Sequence, residues 1–172
     1  IIALFGLLIY FISTSSETYA TNYSQKQNFF YNGLTMSIDD AIITNLDSGG
    51  NIIKSDKYYI LLKATIANNT SKDIDFDYDN LKIYYDNNHL NPSLDLGSNF
   101  IDYAVPYTNK AITKKSSNTY VFVYEIDKTL INQSFNVKLH TGIIKKKNIY
   151  YATSTVIKIS PLIITDLTLI NS

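Results

Sequence analysis

The sequence predicts an all-β protein, a two-layer antiparallel sandwich of about seven or eight strands. Three observations carry that expectation. The stretch 57–69, KYYILLKATIANN, alternates Ile60, Leu62, Ala64 and Ile66 with Tyr59, Leu61, Lys63 and Thr65. A period of two sends those sets to opposite faces of a strand. The stretch 116–126, SSNTYVFVYEI, sets Tyr120, Phe122, Tyr124 and Ile126 against Val121, Val123 and Glu125 in the same way. Beyond residue 28 no apolar spacing is helical, and clusters of Asn, Asp, Ser and Gly separate the apolar runs, as turn residues do.

Composition bounds the function before any motif is considered. A chain of 172 residues suffices for one domain with its own core. At 45% hydrophobic and 17% charged residues, most of it should fold rather than stay disordered. The 15 acidic residues balance 15 basic ones, and every basic residue is Lys. Without Arg the bidentate grip on phosphate or guanine is missing, so nucleic acid is not an expected partner. The absence of cysteine removes disulfides, thiol catalysis, Cys-ligated zinc and a lipid-modified cysteine.

The elements follow in order. Residues 1–12, IIALFGLLIYFI, are continuously apolar. Twelve helical residues rise about 18 Å, against about 30 Å of hydrocarbon. The segment therefore reads as a partial transmembrane anchor. Alternatives are the apolar core of a secretory signal, with Thr18-Tyr19-Ala20 as an imperfect cleavage site, or a buried core segment. The first two place the rest of the chain outside the cytoplasm. Residues 13–28 are a polar spacer. The sandwich is expected over 29–160. Leu34, Met36 and Ile38 alternate with Thr35, Ser37 and Asp39, and Ile42 and Ile43 continue the apolar signal. A turn at 45–51 leads into the 57–69 strand, whose Leu61 breaks strict alternation and predicts cover on both faces. Shorter strands are expected at 74–76 and 81–85, then a turn at Asp86-Asn87-Asn88. Residues 89–115 lack clear periodicity and contain Pro92, Gly97 and Pro106, so they are the expected functional loop. After the 116–126 strand, Phe135, Val137 and Leu139 mark another. Lys145-Lys146-Lys147-Asn148 is a basic turn before a last long strand at 149–159. Residues 161–172 are an extra edge strand or the start of a following domain.

The order of these parts is similar to a known family. An apolar segment and spacer precede a strand ending near Ala41. A long strand then runs into A-N-N-T-S-K-D-I at 67–74, a D-N-N turn follows, and T-Y-V-F-V-Y-E-I closes the pattern at 119–126. This resembles the telokin-like, immunoglobulin-like extracellular domains of bacterial lipoproteins and membrane-anchored proteins of unknown function. Two departures stand out: Lys114-Lys115-Ser116-Ser117-Asn118 lacks the glycine the family often has before the late strand, and the upstream lipid-bearing cysteine is absent. The resemblance implies an immunoglobulin-like sandwich used for binding or scaffolding, with no catalytic residues to carry over.

Few constellations carry chemistry. Asp73, Asp75, Asp77 and Asp79 recur at every second residue, and Asp75, Asp77, Asp79 and Asp86 superficially follow calcium-loop spacing. Asn80 stands where the loop needs glycine, and Lys82 puts a positive charge inside it, so a solvated face is the expectation and no metal is assigned. His89 and His140 lie near no nucleophile signature and are expected to be exposed. Each of Tyr58-Tyr59, Tyr84-Tyr85 and Tyr150-Tyr151 should put one ring in the core and one on the surface. Lys145, Lys146 and Lys147 could meet anionic lipid or wall polymer, though lysines in a turn are usually just solvated. The expected function is a non-catalytic interaction or structural module of a bacterial cell envelope, held at the membrane by its N-terminal segment on the extracellular side, with another protein or envelope component as partner and no cofactor. The alternative is a ligand-sensing extracellular domain of a larger receptor or transporter.

Overall fold

The alternating apolar residues fold the chain into two packed sheets. The computed structural model describes residues 19–108, 110–146 and 149–164, so the expected anchor at 1–12 lies outside the described residues. The strands are β1 (Tyr19–Tyr23), β2 (Phe29–Tyr31), β3 (Leu34–Thr44), β4 (Lys57–Asn68), β5 (Lys82–Tyr85), β6 (Asn88–Leu90), β7 (Val105–Pro106), β8 (Ser116–Asp127), β9 (Phe135–Lys146), β10 (Ile149–Ile159) and β11 (Leu162–Ile163). One sheet has the order β1-β10-β9-β5-β6. The other has the order β11-β3-β4-β8-β7, with β2 paired to β3.

The long strands pair antiparallel, β3 with β4, β4 with β8, and β9 with β10. At the edges the expected antiparallel arrangement is corrected: β1 on β10, β11 on β3 and β7 on β8 run parallel. These edge strands are two to five residues long. That is too short to show a period, so they add to the expected count of strands. The spacer expected over 13–28 is likewise part strand. β1 lends its backbone to the β10 edge, which needs no apolar periodicity, and only Tyr23 reaches the core. The strand expected at 74–76 is reduced to a single bridge between Ile74 and Ile112. There Asp77 accepts hydrogen bonds from the Asp79 N–H (3.2 Å) and the Asn80 side chain (2.9 Å), capping a short 3₁₀ turn, Tyr78–Asn80, instead.

The core lies between the sheets. Leu34, Met36 and Ile38 of β3 enter it, and so do Ala41 and Ile43. The change from even to odd numbers comes from a bulge between Ile38 and Asp40, which inserts one residue and exchanges the faces beyond it. Leu62 of β4 and Phe122 of β8 stand opposite one another and both are buried there. A second apolar cluster covers the outer face of the same sheet: Ile42, Tyr59, Leu61, Val121 and Val123 pack against Phe100 and Tyr103. The irregular loop expected over 89–115 supplies those two rings, Phe100 at the end of a 3₁₀ segment, Asp95–Phe100, and Tyr103 in the turn after it, and it adds β7. Much of that loop is therefore a third layer.

Candidate functional site

Two irregular segments meet at one edge of the sandwich. Ile74 and Ile112 exchange backbone hydrogen bonds of 3.1 and 2.8 Å, which holds the chain after β4 beside the chain after β7. Between them is a cleft of about 340 Å³ lined by Asp75, Phe76, Asp77, Tyr107, Lys110 and Ala111. Tyr107 is its pivot. The ring lies 5.7 Å from Phe76, 5.4 Å from Tyr120 and 5.3 Å from Phe122, centroid to centroid. The hydroxyl donates to the carbonyls of Phe76 (3.1 Å) and Lys110 (3.0 Å), tying both walls together. Burial pushes this hydroxyl up to about 12, and Tyr120 with the Asp75 and Asp77 carboxylates act in the same direction. A phenol held neutral and bonded to two carbonyls is a brace, not a proton donor for chemistry. The carboxylates and the Lys110 ammonium supply charge of both signs around an aromatic interior. Aromatic walls with a few charged groups are the general composition of a ligand cleft.

The acidic run is dispersed. Asp73 accepts from the Lys114 N–H (2.8 Å), Asp77 caps the 3₁₀ turn, and Asp86 occupies the β5–β6 loop at φ 45°. Only Asp75 and Asp77 reach the cleft. Among the described residues no three carboxylate or imidazole groups gather as metal ligands would. The shared strand face that the spacing required is absent, because Tyr78–Asn80 turns the chain.

The histidines lie on the five-stranded sheet. His89 stands opposite Tyr84, its ring 5.6 Å away. His140 pairs with Ser154, and burial, helped by the Lys138 and Lys82 ammonium groups, lowers its pKa. The tyrosine pairs do split across their strands, but the outward ring is often covered too. Tyr59 is buried in the outer cluster against Phe100 at 5.7 Å, while Tyr58 packs against the main core. Tyr85 contacts Phe135, and Tyr84 carries Lys138 5.6 Å above its ring. Tyr150 is exposed beneath Lys145, and Tyr151 meets Tyr19 edge-on at 5.1 Å. Lys147 lies outside the described residues. Sequence reasoning passed over Phe76, Tyr107 and Lys110. The one signal is that aromatic residues in an otherwise polar irregular stretch need somewhere to be buried.

Neither a family model nor a curated protein matches this sequence. Solved structures do share its fold. A protein from Staphylococcus aureus subsp. aureus NCTC 8325, named a "putative lipoprotein", is 18% identical. It superposes with a TM-score of 0.55, over 84% of this chain and 97% of that one. An uncharacterized β-sandwich protein from Clostridium difficile 630 gives a TM-score of 0.55 at 13% identity, covering 86% of this chain and 99% of its own. A functionally unknown protein from Listeria monocytogenes EGD-e gives 0.52 at 15% identity, over 81% and 83%. The chain is a β-sandwich of the kind these bacterial proteins have.

Proposed function

We propose that this chain is a membrane-tethered, extracytoplasmic sandwich of the telokin-like, immunoglobulin-like type, acting as a non-catalytic interaction or structural module of a bacterial cell envelope. The observation that carries this reading is the division of the chain. The described residues form a core among themselves, and residues 1–12 are continuously apolar. A segment that apolar is suited to a bilayer. The name of the S. aureus structure, a "putative lipoprotein", is in keeping with a domain tethered at its N-terminus.

One observation favours the sensing alternative. The cleft takes three of its six lining residues from the loop at 89–115, the stretch expected to hold a ligand. A screen of small cationic and hydroxylated ligands by thermal shift separates the two readings. A ligand whose stabilisation disappears in Asp75→Asn would favour the sensor.

Deleting residues 1–12 tests the tether. The expected result is a protein that no longer needs detergent and keeps its β circular-dichroism signal. Aggregation or loss of that signal would assign the segment to the core and end the tether reading.

A further inference from the structure

The strands β1, β10, β9, β5 and β6 contain no Asp or Glu at all, in a chain that has 15. They do contain five lysines and both histidines. The side chains are also sorted by face. On β10, Ile157 and Ile159 enter the core, so the alternate residues Tyr150, Val156 and Lys158 face outward. Cross-strand partners share a face. Lys138 pairs with Val156 and with Lys82, and Lys145 pairs with Tyr150. Lys82, Lys138, Lys145 and Lys158 therefore stand on one outer face. Lys82 and Lys138 are directly opposed, an arrangement that repels. Among the described residues the ion pairs all use Glu125 or Asp127 of β8, on the other sheet. The outer face is cationic, and among the described residues no carboxylate forms an ion pair with its lysines.

The position of the face identifies what lies against it. β1 is the edge strand of this same sheet, and Tyr19, its first residue, pairs with Thr153. Residues 13–18 separate Tyr19 from the apolar segment, and six residues of extended chain span about 20 Å at most. The tether thus enters the sheet near the end where Ile143 (58% exposed) and Tyr150 (42% exposed) stand beside Lys145. An aliphatic and an aromatic side chain flanked by lysine suit the headgroup boundary.

We propose that the outer face of the β1-β10-β9-β5-β6 sheet docks on anionic lipid headgroups of the bilayer that holds residues 1–12, with the four lysines over the headgroups and Ile143 and Tyr150 at the interface. This rests on the tether reading above. Each lysine near an anionic surface strengthens the apposition by about fivefold, and salt weakens it because screening acts within about 8 Å at physiological ionic strength.

The chain has no cysteine, so Ile143→Cys gives a single labelling site, and Ile101→Cys, exposed in the segment that covers the other sheet, gives the control. The full chain is reconstituted into phosphatidylcholine vesicles with and without phosphatidylglycerol. A fluorophore at 143 should be quenched by spin-labelled headgroups when phosphatidylglycerol is present, and far less without it or at high salt. A fluorophore at 101 should not be quenched in either case. Changing Lys82, Lys138, Lys145 and Lys158 together to Gln should abolish the quenching while the thermal unfolding midpoint stays close to that of the parent. If the protein floats with the vesicles but the label at 143 behaves like the label at 101, docking is wrong and the tether stands. If it does not float, the tether reading fails and the docking fails with it. Lysine-dependent binding of soluble polyphosphate, without lipid quenching, would assign the face to a polymeric phosphate and overturn the membrane proposal.

Discussion

Asn68 ends β4 fully buried, and its amide uses every hydrogen-bonding position it has. The nitrogen donates to the carbonyls of Lys72 and Ile112, each at 2.8 Å, and the oxygen accepts from the Thr70 N–H (3.0 Å) and hydroxyl (2.7 Å). The Asn-Asn-Thr-Ser turn is thus a side-chain knot that also fastens the segment leading to β8. Asn68→Ala removes one of the two donors at each of the Lys72 and Ile112 carbonyls, which keep Thr70 and Ile74, and should cost about 1–3 kcal/mol. Asn68→Asp should cost more at neutral pH, since a carboxylate would face both carbonyls, and part of that loss should return in acid. Denaturant midpoints at two pH values measure this. Lys63 provides the contrast. Its ammonium lies 4.2 Å over the Tyr103 ring, a contact worth about 0.5–1 kcal/mol at a partly exposed site, so Lys63→Ala should lose no more than that.

At the scale of elements, phase and turn chemistry decide the register. The β2–β3 hairpin closes through Asn32 (φ 47°) and Gly33 (φ 84°). These are the two left-handed positions of a tight hairpin turn, for which Asn-Gly is the favoured pair. A Cβ on Gly33 would lie 3.2 Å from Ile74 Cδ1. Gly33→Ala should therefore cost about 1–2 kcal/mol, seen as a drop of about 2–8 °C in the thermal midpoint. The bulge in β3 is stabilised from its outer side. Asp39 accepts from the Ser37 hydroxyl and from Thr65 (2.6 Å), which in turn receives from Thr119 (2.7 Å). Leu62→Ala in β4 and Phe122→Ala in β8 open cavities in the main core and should each cost about 2–5 kcal/mol. Leu61→Ala should cost a similar amount, because the outer cluster buries Leu61 as completely as the core buries Leu62. Chemical denaturation of the three variants checks it. A small loss at Leu61 would mean that the outer layer does not stay on the sheet.

The whole molecule is built on buried phenols. Burial raises Tyr59, Tyr103, Tyr107 (to about 12) and Tyr124, whose hydroxyl donates to the Leu81 carbonyl at 2.6 Å. In each the neutral phenol is the folded form. The stability this supplies is complete below about pH 10, where unfolded tyrosines still hold their protons. It falls as pH rises from there toward 12, because the unfolded chain then releases protons that the fold retains. Denaturant midpoints should therefore decline between about pH 10 and pH 12, while the tyrosinate absorbance of the folded protein lags behind that of the unfolded chain. Coincident titrations of the two states would mean that these rings are not buried.

By itself the sequence determined the sandwich, because a period of two in 57–69 and 116–126 fixes strands and faces locally. Leu61 also announced cover on both faces, since a solvated face would carry a polar residue there. Asn32-Gly33 carried a hairpin signal that strand periodicity does not register. What the sequence left open was decided by contacts between distant segments. The third layer of Phe100 and Tyr103 and the parallel edge strands have no local signature, because backbone pairing and aromatic burial are indifferent to spacing. The cleft exists only because the Ile74–Ile112 bridge brings residues 75–77 beside 107–111. The cationic face is of the same kind. Lys82, Lys138, Lys145 and Lys158 lie far apart along a chain of zero net charge, and only the order β10-β9-β5 sets them on one surface.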